Sequence, residues 1–170
     1  ASSRAALHEF AGRWQLPVAA AWRYQDVFDH LDPQYVGDVG IGINQALSDA
    51  LMNADLVIAL GIRLGEVTTQ HYSRLKVPMP DQQLVHIYPG AEELGRVYYP
   101  TLAITALAPA FASALSDIAP PAALPPHAPP PPRPPTLKPA AVASRTIKGL
   151  FSGQIEGRTN TSCAAMTAPI

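Results

Sequence analysis

The chain has 170 residues, 48% of them apolar and 15% charged, with 19 prolines of which eleven fall between Pro120 and Pro139. Residues 1–118 hold 7 Lys/Arg against 12 Asp/Glu and residues 119–170 hold 5 against one, Glu156, so an acidic body precedes a basic tail and nucleic-acid binding is disfavoured. A single cysteine, Cys163, excludes a disulfide framework and a cysteine metal site, no apolar run approaches the roughly 20 residues of a membrane span, and no secretory signal is visible; a reducing cytoplasm is the expected compartment.

In chain order, Ala5, Leu7, Phe10, Ala11 and Trp14 recur at helical spacing after two serines suited to capping, which predicts a helix over 3–14. Residues 16–22 are a short apolar run that reads as a buried strand, and 23–43 read as a long polar, glycine-containing connection. Asn44 is placed to cap a helix whose apolar face is Ala46, Leu47, Ala50, Leu51 and Ala54. Residues 55–61 are continuously apolar after Asp55, as in a strand covered on both faces of a parallel sheet. Residues 83–88 and 102–106 predict two more strands, and Pro109 opens a closing helix through Phe111, Leu115 and Ile118. The expected fold is therefore α/β: a Rossmann-like open parallel sheet with flanking helices, lacking a first strand before Ser3. Residues 119–139 read as a proline-rich linker of polyproline character, and 140–170, poor in large apolar groups, as a disordered tail. The start at Ala1 and the change of character after Ile118 are read as marks of a fragment, from truncation or a shifted reading frame.

Ligands of open parallel sheets bind at the carboxyl ends of the strands, where loops and helix N-termini converge. Two glycine-containing segments occupy that position: 37–42, with Gly40 and Gly42, and 61–66, with Gly61, Arg63 and Glu66. Glycine permits close backbone approach to a diphosphate, and Arg63 offers a cation to a phosphate or a stacking plane to a base. The plainer alternative is that the glycines serve turns and Arg63 pairs with Glu66 or a neighbouring subunit. His86, between Val85 and Ile87 in a strand, reads as structural; Asp26, Asp29 and Asp32 near His30 read as a solvated loop in preference to a metal site; and no serine lies on a nucleophile-elbow pattern.

Three segments together carry a family resemblance: 35–42 (YVGDVGIG), 54–66 (ADLVIALGIRLGE) and 85–96 (VHIYPGAEELGR). In that order and spacing, over about residues 3–118, they resemble the central domain of thiamine-diphosphate-dependent enzymes, in particular acetolactate-synthase-like large subunits. The resemblance implies a parent that decarboxylates 2-keto acids and ligates the product, with thiamine diphosphate and Mg²⁺ bound by pyrimidine- and diphosphate-binding domains that lie outside this chain. Those domains or a sister subunit are the implied partners, in a homo-oligomeric parent. It further implies that this domain holds no catalytic residue and no metal ligand, because Gly37-Asp38 is followed by Val39 and no Asn-Asn pair occurs. FAD or ADP is the implied nucleotide for the domain itself, through Gly40, Gly42, Gly61, Arg63 and Glu66. The family's Gly-x-Arg-Phe-Asp-Asp appears as Gly61-Ile62-Arg63-Leu64-Gly65-Glu66 and its His-Ile-Asp as His86-Ile87-Tyr88, departures that weigh against FAD. From a different class, a stand-alone nucleotide-binding or interaction module, with the proline tract as ligand for an aromatic groove, is the second reading.

Overall fold

The computed structural model describes residues 3–120 and 163–167. In chain order these form α1 (Ser3–Trp14), β1 (Val18–Ala21), β2 (Tyr35–Val39), α2 (Gln45–Met52), β3 (Leu56–Leu60), β4 (Gln83–Tyr88), β5 (Leu102–Thr105), α3 (Ala108–Ser116) and β6 (Cys163–Thr167), with 3-10 turns at Gln25–Val27 and Ala91–Glu93. The strands make one sheet in the order β2-β1-β6-β3-β4-β5, and every pairing in it is parallel.

Strand periodicity sorts the core onto two faces. Val18 and Ala20 of β1 and Leu56, Ile58 and Leu60 of β3 point to one side, where Leu7, Phe10, Ala11 and Trp14 of α1 and Ala112 and Leu115 of α3 complete the layer. Ala19, Ala21, Val57 and Ala59 point to the other, where they meet Leu47 and Leu51 of α2 and Ile62, Leu64, Leu75 and Tyr98 from the connections. Coverage of both faces explains why β3 lacks polar alternation: all five of its residues are buried.

Side chains cap three of the helix ends. Asn44 Oδ1 accepts from the Ala46 amide at 2.8 Å, capping α2, and the Gln82 side-chain amide donates to the Met52 carbonyl at 2.6 Å at its other end. The guanidinium of Arg13 donates to the Ser116 carbonyl at 2.6 Å, so the end of α1 caps the end of α3.

Two expectations change. The connection 23–43 contains a strand: β2 pairs with β1, Val18 opposite Tyr35 and Ala21 opposite Val39, with a register shift after Val18. Gly37, at φ +119°, interrupts the apolar pattern that would have identified it. Within 140–170, the stretch expected to be disordered, Cys163–Thr167 forms β6, and it lies between β1 and β3 in the middle of the sheet. The linker 119–139, beyond its first two residues, and the remainder of 140–170 lie outside the described residues. Among the described residues no helix is long and apolar enough to cross a membrane.

Candidate functional site

The chain order of the strands reverses between β1 and β3, and the crevice above such a reversal, at the carboxyl ends of the strands, is where open α/β sheets take ligands. A cavity of about 460 Å³ lies there. Trp22 and Arg23, following β1, form one wall; Ile62, Arg63, Gly65 and Glu66, following β3, form another; Glu93 and Arg96, following β4, close the third side. A second cavity of about 610 Å³, lined by Ile41, Gly42, Gln70, His71 and Arg74, shares Glu66 and Val67 with the first. Both volumes fall within the range of small-ligand sites, about 300–1,000 Å³.

Of the five residues expected at a site, Arg63 and Glu66 line the first cavity, and Gly42 and Glu66 the second. Gly40 instead lies against Trp22. Its φ is +119°, and a Cβ there would stand 2.6 Å from Trp22 Cδ1, so the glycine lets the indole lie down on the loop after β2. Gly61, at φ +67°, ends β3 and donates its amide to the Ile87 carbonyl at 2.8 Å, turning the chain toward Arg63.

Arg63 pairs with Glu93, not with Glu66: its Nε and Nη2 reach Glu93 Oε2 at 3.1 and 2.8 Å. Arg96 Nη1 approaches the same oxygen at 3.5 Å. Burial by itself raises the Glu93 carboxyl; the hydrogen bond and charge of Arg63, with the charge of Arg96, outweigh it and hold the group below the usual carboxylate range. The same hydrogen bond and charge raise Arg63 above its ordinary value. Glu93 thus fixes Arg63 at the rim, and the less constrained cations are Arg96 and Arg23, whose guanidinium lies 4.7 Å from the centroid of the Trp22 ring.

His86 is buried in β4, and its Nε2–H donates to the Ile62 carbonyl at 2.9 Å, which assigns the tautomer and pins the loop that carries Arg63. Burial lowers its pKa, more than the Ile62 hydrogen bond and the Glu93 charge raise it. Its role is structural, as expected. Gln70, His71 and Tyr72 all have positive φ, 48 to 60°, a run that L-residues seldom adopt. The run is held by the His71 amide to the Glu66 carbonyl at 2.8 Å and by Gln70, whose amide donates to the Gly40 carbonyl at 3.1 Å and whose Oε1 accepts twice from Arg74. This turn ties the loop after β2 to the loop after β3 across both cavities.

Trp22, Arg23, Gln70, Glu93 and Arg96 are among the lining residues that sequence reasoning missed. The residues after a strand were a usable signal for Trp22 and Arg23; nothing local marked Glu93 or Gln70. Asp26 and Asp32 pair with α1, Asp26 with Arg4 at 2.7 Å and Asp32 with His8 at 3.1 Å, while His30 stacks on Tyr35. Among the described residues no group of three or more His, Cys, Asp or Glu is disposed to hold a metal ion. Asp38 lies in β2 and its carboxylate accepts from the Tyr35 hydroxyl, so the Gly37-Asp38 pair is part of a strand and does not fit the diphosphate and Mg²⁺ of thiamine diphosphate.

No curated protein matches the sequence. Residues 1–115, which span α1 to α3 and every wall of the cleft, match the family described as thiamine pyrophosphate enzyme, central domain, and with its parallel sheet and switch-point crevice the chain belongs to that family.

Proposed function

We propose that this chain supplies the nucleotide-binding-like central domain of a thiamine-diphosphate-dependent enzyme of the acetolactate synthase kind, and that its crevice takes an adenine nucleotide of ADP size. The parent reaction, decarboxylation of a 2-keto acid and carboligation of the product, belongs in this reading to the pyrimidine- and diphosphate-binding domains or a sister subunit, in a homo-oligomer. Membership of the central-domain family supports the assignment. The observation that carries the ligand class is the switch-point cavity itself, with Arg96 and Arg23, the latter backed by the Trp22 ring, presenting cations to a diphosphate.

The geometry favours ADP over FAD. A dinucleotide needs both cavities, which meet at the Glu66–Val67 wall. Titration calorimetry of the full chain with ADP, FAD and thiamine diphosphate tests the assignment. ADP binding that weakens at least ten-fold in Arg96→Ala and falls with rising salt is the expected result. Tighter binding of thiamine diphosphate than of ADP would overturn it.

A further inference from the structure

Strand β6 enters the sheet in a way that no other strand does. β1 to β5 reach their places through connections within residues 16–105, whereas β6 comes from beyond residues 121–162 and lies at the centre, with β1 on one side and β3 on the other. In a parallel βαβ unit the strand that feeds a helix lies in the same sheet as the strand the helix leads into. α1 leads into β1, whose far side is occupied by β2, so the place of a strand feeding α1 is the slot that β6 holds.

We propose that the slot between β1 and β3 is a strand-binding site, and that Cys163–Thr167 is a separable occupant docked into it from the chain's own C-terminal region. The inference is independent of whether the crevice takes a nucleotide. The slot is two strand spacings wide, about 9.6 Å, and with β6 in place its walls, Val18–Ala21 and Leu56–Leu60, are buried along their whole length. Backbone donors and acceptors on those walls have no water to turn to, so the site selects an extended backbone able to pair on both edges. β6 does so in register, with Ala165 opposite both Val18 and Ile58 and Thr167 opposite Ala20 and Leu60. The neighbouring strand β1 is Val-Ala-Ala-Ala and the occupant is Cys-Ala-Ala-Met-Thr, a pairing of two small-residue strands.

The number of residues between α3 and β6 sets the greatest reach of the occupant once released. Residues 121–162 have a fully extended length of about 140 Å, many times the radius of a body this size, roughly 13–14 Å. A freely moving connection of that length would hold a released strand at a local concentration in about the millimolar range or below, the regime in which a peptide of the same sequence competes.

Amide hydrogen exchange on the full chain, with a synthetic peptide of residues 160–170 as probe, tests the proposal. The amides of 163–167 are expected to be protected far above an unstructured peptide, though less than those of Leu56–Leu60. Ala165→Pro, which removes a donor at the centre of the strand, is expected to release it and to bind the peptide at least ten-fold more tightly than the unaltered chain does. Exchange of 163–167 at the rate of an unstructured peptide while β3 stays protected overturns the proposal. Protection that appears only in a concentration-dependent dimer also overturns it, by placing the strand in a second copy. Should Ala165→Pro be unfolded with and without the peptide, exchange in the unaltered chain decides the matter alone.

Discussion

Arg63 and His86 show how single residues at the crevice divide their work. Arg63 was the most conspicuous cation in the sequence, yet Glu93 holds it through two hydrogen bonds, and the exposed position of the guanidinium limits what that pair adds to stability. His86, which reads as filler between Val85 and Ile87, controls where Arg63 sits, because its Nε2–H fixes the Ile62 carbonyl. Its pKa is lowered in the folded state from 6.5, so the unfolded chain takes up the proton first and stability falls as the pH drops below about 6.5, until the folded-state value is passed. The Glu93 carboxyl, lowered from 4.5, extends the loss at more acid pH, since the stability it provides is present above 4.5 and disappears as the pH falls through its folded-state value. His86→Gln keeps an N–H for Ile62 and removes the titration. Urea denaturation between pH 7 and 5 should show a slope of at most about 1.4 kcal/mol per pH unit in the unaltered chain and a flatter profile in His86→Gln, with the loss below pH 4.5 unchanged.

At the scale of elements, what the sequence made legible tracks how local the cause is. β3 and β4 were readable because unbroken runs such as Leu-Val-Ile-Ala-Leu need no partner to be recognised, and α2 because Asn44 stands where a cap belongs. That cap gives a direct measure: Asn44→Ala should lower stability by about 1 kcal/mol, and Asn44→Asp should restore most of it, both read by chemical denaturation. The short helix, eight residues long, depends on its cap more than a longer one would. β2 was hidden because Gly37 and Asp38 break its apolar run, and it becomes a strand only by pairing with β1. β6 was hidden more deeply, since Cys-Ala-Ala-Met-Thr has little strand preference of its own and takes that form from two neighbours over a hundred residues away in sequence. The crevice follows the same rule: its glycines and Arg63 were visible, whereas Glu93 and Gln70 reach it through contacts that span 30 residues each.

For the whole molecule, the position of β6 divides the sheet into unequal halves. On one side β3, β4 and β5 are joined to each other by pairing within residues 56–105, with Leu, Val and Ile at most inward positions. On the other, β1 is three-quarters alanine and β2 is an edge strand that carries a glycine, so this half buries less apolar area per residue and is joined to the first within the sheet only through β6. Opening of β6 therefore removes the pairing of β1 on one edge and leaves β1 and β2 as a two-stranded unit, which is marginal by itself. Hydrogen exchange followed through low, sub-denaturing urea should find the amides of β1, β2 and β6 opening together at a free energy below that of β3 and β4, which open with the whole molecule. If β6 instead exchanges by itself while β1 and β2 stay as protected as β3, the flanking layer of α1 and α3, tied end to end by Arg13 and the Ser116 carbonyl, holds the two halves together without the central strand.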